Sequence, residues 1–239
     1  MDKNPLNDLF LLLGNEMQLV DNLISERMFS EHAPLIQKLT DHLINAGGKR
    51  LRPLLTLASA NICNYAGNHH IHLAAIVEFI HTATLLHDDV IDESLKRRGR
   101  LTANNLWGNK SSVLVGDFLF ARAFQLMVET GSLQILDSLS KASAEISESE
   151  VLQMSLIQNL STSRNQYMQV IRGKTAILFA SACEVGGLIA KAKNKQIEAL
   201  RLYGEALGIS FQMVDDFLDY SGNKFDLGKN IGDDFREKK

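Results

Sequence analysis

After Pro53 the chain contains no proline; the only three stand at positions 5, 34 and 53. Proline removes a backbone donor and clashes with the preceding helical turn, so this distribution leaves very long helices open. No alternating strand pattern of useful length competes with them. Leu6–Met28 carries a helical stripe of apolar residues at 9, 12, 13, 19, 20, 23 and 24. Pro34 opens a second predicted helix that ends at Ala46, where Gly47 and Gly48 form a stop signal. Further helices are expected over Leu54 to about Tyr65, His70–Leu95, Ser111–Met127, 132–159, 164–190 and Ala199–Tyr220. Gly99–Asn109 reads as a polar loop or short helical segment. The pattern predicts an all-α fold in a single domain over residues 1–239.

The stretch Glu78–Arg100, EFIHTATLLHDDVIDESLKRRGR, organises the rest. Asp88 and Asp92 are four apart and share one helix face, where like charges cost roughly 0.2–0.5 kcal/mol. A cation offsets that repulsion. Oxygen-only ligands at this spacing suit Mg²⁺, which keeps several waters and is shared between carboxylates and substrate phosphates. Arg97 and Arg98, just beyond, supply planar donors matched to phosphate oxygens. Phe211–Tyr220, FQMVDDFLDY, repeats the spacing with Asp215, Asp216 and Asp219. A single motif of this kind is often only a solvated helix end; two in one chain are specific. Facing carboxylate clusters would hold several divalent ions, and those ions would bind a diphosphate.

Gly47–Pro53 packs Lys49, Arg50 and Arg52 into a glycine-opened segment before an apolar helix. Glycines let the backbone approach an anion, and the cations reach it from a short loop. Alone, such a junction is ordinarily solvated; beside two acidic motifs it reads as an anion site. His81 lies two turns before Asp88 on nearly the same face. A lone histidine there is by default a hydrogen-bonded core residue. Glu78 and His81 form one Glu-x-x-His pair, but di-iron bundles need two, and no second occurs. Gly173-Lys174-Thr175 inside a helical pattern marks a kink that frees backbone carbonyls. It is not the end of a P-loop, because Met168 stands where that motif needs a glycine.

GGKRLRP at Gly47–Pro53, LLHDDVIDESLKRRG at Leu85–Gly99, GKT at Gly173–Thr175, FQMVDDFLDY, and GK at Gly228–Lys229 occur together in this order. In these motifs the chain resembles the trans-isoprenyl diphosphate synthases (the polyprenyl synthetase family). The wording around the first motif is most like the bacterial long-chain enzymes of the octaprenyl diphosphate synthase type. The resemblance implies an isoprenoid synthase-type bundle of long antiparallel helices around a central cavity. It implies head-to-tail, trans condensation of an allylic diphosphate, such as farnesyl diphosphate, with successive isopentenyl diphosphates. The product would be a C40–C50 polyprenyl diphosphate for quinone side chains, released from solution to a membrane by a homodimer.

Roles follow residue by residue. Asp88, Asp92, Asp215 and Asp219 are expected at Mg²⁺, three ions per site in the family, with Asp89 and Asp216 supporting. Arg97, Lys174 and Lys229 would stabilise the allylic diphosphate, with Thr175 and Gln212 aimed at the allylic group. Lys49, Arg52, His81 and Arg98 would hold isopentenyl diphosphate, and Arg50 is left open. Ala83 and Thr84, with Ile80 further along, would line a tunnel that sets product length. Family members continue beyond Asp233–Lys239 and usually have glycine where Lys238 stands, so the chain reads as truncated at its C-terminus. Two other readings are a non-catalytic partner subunit or inactive truncated form of such a synthase, and a class I terpene cyclase. The cyclase would lack both the second Asp-rich repeat and the GGKRLRP segment.

Net charge is −3 with the charges well mixed, which gives no case for nucleic acid. Cys63 and Cys183 fit neither a metal nor a disulfide spacing and read as buried thiols. MDKNPLNDLF does not read as a signal peptide. Pro53–Val77 lacks charged residues but contains Asn, Gly and three His, a poor transmembrane candidate, so a cytoplasmic location is expected.

Overall fold

The structure is a computed structural model and describes residues 5–45, 47–159 and 161–221. In chain order the elements are α1 Pro5–Leu12, α2 Gly14–Arg27, α3 Pro34–Asn45, α4 Leu51–Ile62 and α5 His69–Ile91. Strands β1 Lys96–Arg97 and β2 Arg100–Leu101 follow, then α6 Ala103–Trp107, α7 Asn109–Glu129, α8 Leu133–Leu156 and α9 Arg164–Ile171. A π-helical turn, Arg172–Ala176, leads into α10 Ile177–Ile189, and α11 runs Asn194–Ser221. The expected all-α class holds apart from the two-residue strands. The N-terminal stripe is divided at Leu13, where Gly14 weakens a continuous helix. The segment with Lys224, Asp226 and Lys229, and the end Asp233–Lys239, lie outside the described residues.

Helices α5 and α10 form the interior. Helix α5 packs against α2, α4, α7 and α10, while α10 packs against α4, α8 and α11. Helix α10, ILFASACEVGGLI, is apolar nearly all round, as a helix covered on every side must be. Its small residues set the spacing: a Cβ on Gly186 would come within 2.7 Å of the Thr56 carbonyl oxygen on α4. The main core joins α2, α5 and α7, with Ile24, Phe79, Leu86, Leu119 and Leu126 sealed from solvent. Each such side chain contributes about 1.5–3 kcal/mol by burial. A smaller cluster of Leu55, Phe179 and Cys183 sits among α4, α10 and α11, with Phe211 against it. Both cysteines are free thiols; Cys183 is buried as expected, whereas Cys63 is only partly so.

The organising helix stops at Ile91, four residues earlier than its composition suggests. Glu93 takes a left-handed conformation (φ 50°), the Ser94 N–H reaches back to the Asp89 carbonyl at 3.0 Å, and Glu93 N–H reaches Val90. This is a Schellman closure with glutamate where glycine is usual. The chain then turns through a hairpin, Arg97 opposite Arg100, whose two central residues Arg98 and Gly99 have φ of 50° and 76°, and α6 is the short helical segment expected within Gly99–Asn109. Tight two-residue hairpins need positive φ at both positions, and Gly99 supplies one without cost.

Candidate active site

The closure of α5 decides which way its carboxylates point. Asp88 and Asp92 stack across the last turn, with the Asp92 N–H donating to the Asp88 carbonyl at 2.8 Å. They lie at the negative end of the helix dipole, which adds to their attraction for a cation. Asp89, one residue on and about 100° around, turns inward and is 1 % exposed. Its Oδ1 accepts from both Nε (2.9 Å) and Nη2 (2.8 Å) of Arg97, and its carbonyl accepts from Asn104. Asp89 therefore holds Arg97 and turns away from the direction of Asp88 and Asp92. Burial works against the Arg97 charge, but Asp89, with Asp88 and Asp92 beyond it, outweighs burial and raises the guanidinium above its ordinary value.

Asp88 faces α8 and the π-helical turn. Burial pushes its carboxyl up to about 7; Lys174 and Arg97 pull the other way, while Glu150 and Asp92 add to the rise. Lys174 stands on the turn, its Nζ 2.8 Å from Glu150 Oε1 and donating to Gln153 Oε1 at 2.8 Å. The expected kink at Gly173-Lys174-Thr175 is thus a π-bulge, a distortion common at functional sites. Gly173 is needed there because a Cβ would collide with Ser149 of α8. Neither Glu150 nor Gln153 was singled out by sequence; one turn apart on an amphipathic helix, they carry no local signal.

The second acidic motif occupies the last turns of α11 described. Thr175 Oγ1 donates to Gln212 Oε1 at 2.7 Å, and Gln212 Nε2 donates to Asp216 Oδ1 at 2.7 Å. Asp216 Oδ2 also accepts from the Tyr167 hydroxyl at 2.6 Å, so this carboxylate is held from two sides. Burial and this bond push the Tyr167 hydroxyl far above its ordinary value. Asp215 is half-buried, and Asp219 is sealed from solvent.

Two turns up α5, on nearly the same face as Asp88, lies a basic pocket. A small cavity of about 40 Å³ is lined by Gly47, Arg50, Glu78, His81, Arg97 and Arg98, with Met28, Ile44 and Leu85 behind. The residue left open by sequence, Arg50, belongs to this wall: it takes a left-handed conformation (φ 46°) and forms an ion pair with Glu78. The Arg98 guanidinium passes so close to Gly48 that a Cβ there would lie 2.8 Å from Nη1. Arg52 stacks over the Phe179 ring at 4.3 Å, and Lys49, exposed, lies 6.0 Å from the Phe211 ring. Burial lowers Arg52 to about 10, which Glu78 opposes and Arg98 deepens; the guanidinium is still charged at neutral pH. Burial first, and then Arg52, Arg97, Arg98 and Arg50, hold His81 well below its ordinary value. His81 is therefore a neutral hydrogen-bonding group, not a fifth cation.

Of the three residues expected to set product length, two are closed in and Thr84 is half-buried. Ala83 and Ile80 are sealed in the main core, and the Thr84 hydroxyl donates to the His81 carbonyl at 2.8 Å. A larger groove of about 570 Å³ between α8 and α9, lined by Lys141, Glu145, Glu148 and Gln169 among others, carries none of the motif residues.

The donor set fits a hard divalent cation. The side chains are carboxylates, and Asp88 is raised by burial and like charge, a penalty that a bound cation relieves. Among the described residues no group of three or more His, Cys, Asp or Glu side chains forms a metal cage by itself. Such a site suits an ion shared with water and a substrate's phosphates.

An all-helical bundle with Asp-rich helix ends beside a glycine-opened basic pocket has the makings of a diphosphate-handling enzyme. Residues 33–239 match the family model described as polyprenyl synthetase. The chain is 45% identical over 228 residues to the octaprenyl diphosphate synthase of Escherichia coli (strain K12), covering 95% of this chain and 70% of that protein. A crystal structure of a decaprenyl diphosphate synthase from Rhodobacter capsulatus superposes with a TM-score of 0.94 at 61% identity, covering 98% of this chain and 72% of that one. A polyprenyl synthase from Caulobacter crescentus CB15, complexed with calcium and isoprenyl diphosphate, also gives 0.94, at 52% identity, over 97% and 70% of the two chains. The chain belongs to the polyprenyl synthetase family, whose members are metal-dependent prenyltransferases.

Proposed function

We propose that this protein condenses an allylic diphosphate, farnesyl diphosphate for one, with successive isopentenyl diphosphates to a trans-polyprenyl diphosphate of C40–C50. The observation that carries the reading is the polarity of α5. Asp88, stacked on Asp92 at its end, interacts with Lys174, while His81 and Glu78, two to three turns earlier, sit among Arg50, Arg52 and Arg98. Two diphosphates of opposite role can therefore lie along one helix, with their carbon ends between them.

The hard step is departure of the allylic diphosphate, which leaves with more negative charge than it had when bound. Mg²⁺, when bound by Asp88, Asp92 and Asp215, supplies Lewis-acid stabilisation of that charge. Lys174, pre-positioned by Glu150 and Gln153, and Arg97, pre-positioned by Asp89, add fixed donors that need no reorganisation. Thr175 and Gln212 aim oriented dipoles at the allylic carbon. Lys49, Arg52 and Arg98 hold isopentenyl diphosphate, and neutral His81 adds a hydrogen bond without competing for the anion. The new carbon–carbon bond leaves a cation on the added isopentenyl unit; loss of a proton from the carbon beside it restores an allylic double bond, and the departed diphosphate is the base at hand.

A homodimer fits the outer face of α7. That helix is long and apolar enough to cross a membrane by length and composition, yet Ser112, Val115, Leu119 and Leu126 are buried on one side. Val113, Leu114, Phe124 and Val128 are exposed on the rest, a surface suited to a second copy. The test of the function is Asp88→Ala: turnover falls by about two orders of magnitude or more, with product length unchanged in what is made. A near-normal rate refutes the assignment of Asp88.

A further inference from the structure

Helix α11 touches its neighbours along one line of residues four apart. A Cβ on Gly204 would meet the Phe179 carbonyl, and one on Gly208 would lie 2.5 Å from the Ala176 Cα in the π-helical turn. Gln212 bonds Thr175 on the same turn, and Asp216, one turn later, receives both Gln212 and Tyr167. Tyr167 is the last of these tethers and comes from a different helix. It is itself well anchored. Ser163 and Gln166 form a capping box at the start of α9, and the Tyr167 N–H donates to the Ser163 carbonyl at 3.0 Å.

We infer that Tyr167 is a positioning residue of the second acidic motif: its hydroxyl holds Asp216 and thereby sets the rotation of α11 that presents Asp215 to the diphosphate. The Asp216 carboxylate accepts one neutral donor on each oxygen, Gln212 on Oδ1 and Tyr167 on Oδ2. Such a carboxylate is oriented in two directions at once. Adjacent helical residues point about 100° apart, so a fixed Asp216 fixes the direction of Asp215. Removing the Tyr167 hydroxyl leaves Asp216, among the described residues, with Gln212 of its own helix as its hydrogen-bond partner, and the hydrogen bond between α9 and α11 is lost. The ring of a phenylalanine would keep the packing and lose only that tie.

The inference rests on the proposed reading of the site as one for magnesium and diphosphate, and the test separates the two. Tyr167→Phe and a control, Tyr203→Phe on the exposed side of α11, are compared with the parent protein. Binding of inorganic diphosphate in the presence of Mg²⁺ is measured by calorimetry, alongside steady-state kinetics and thermal melts. Loss of a partner that orients a ligating carboxylate typically costs about 10–100-fold in metal affinity or activity. Tyr167→Phe is expected to weaken magnesium–diphosphate binding about tenfold and to raise the half-saturating Mg²⁺ by a similar factor. The KM for isopentenyl diphosphate and the melting temperature stay as in the parent, and Tyr203→Phe changes nothing. Parent-like diphosphate binding in Tyr167→Phe overturns the inference. So does a loss that raises both substrate KM values together with a lowered melting temperature, the mark of a merely structural role. A parent protein that binds no magnesium–diphosphate overturns the reading of the site itself, and the inference with it.

Discussion

Replacing Arg97 with alanine should cost more than a phosphate contact. Asp89 is 1 % exposed, and both Arg97 donors converge on its Oδ1 at 2.9 and 2.8 Å. Removing one partner of a buried pair strands the other charge at about 3–5 kcal/mol. The Arg97 side chain is itself 33% exposed, so water can follow into the gap and the lower end, about 3 kcal/mol, is expected. Replacing both Asp89 and Arg97 with alanine removes the stranded charge, so the double variant should be more stable than Arg97→Ala alone. Urea unfolding of the parent, both single variants and the double variant gives the coupling energy by linear extrapolation. A coupling of about 2 kcal/mol is expected; additivity to within about 0.5 kcal/mol would show that the pair is not what holds Arg97 in place.

Two further outcomes follow from buried groups on α5. His81 is held below its ordinary value of 6.5 when folded, so the unfolded chain binds a proton that the folded chain refuses. Stability should thus be full above 6.5 and fall as pH drops below it, and His81→Gln should flatten that part of the pH–stability curve; an unchanged slope contradicts a neutral His81. Ala83 is sealed in the core, so Ala83→Phe should cost about 1–3 kcal/mol of overpacking, read as a lowered midpoint in urea. An unchanged midpoint would show that the core around position 83 has room for a ring.

The parts legible in sequence were those with a short spacing and a chemical reason. The two Asp-rich repeats, the basic glycine segment and the kink at Gly173 each declare themselves within a few residues. What could not be read there depends on rotation and long-range packing. Asp88 and Asp89 are adjacent and chemically identical, yet one faces Lys174 and the other is spent inside on Arg97; only the position of α5 against its neighbours decides which. The hairpin over Lys96–Leu101 was hidden because arginine, not asparagine, precedes Gly99 in its turn. Glu150, Gln153 and Tyr167 are single polar residues on amphipathic helices, meaningful only because α8, α9 and the π-helical turn meet at Lys174 and Asp216.

The most direct test of the account is one incubation. The protein is mixed with Mg²⁺, farnesyl diphosphate and labelled isopentenyl diphosphate, and the dephosphorylated products are separated by length. Mg²⁺-dependent incorporation into a polyprenyl chain of C40–C50 is expected. Incorporation that stops after the first additions, or that survives removal of the metal by chelation, would contradict it.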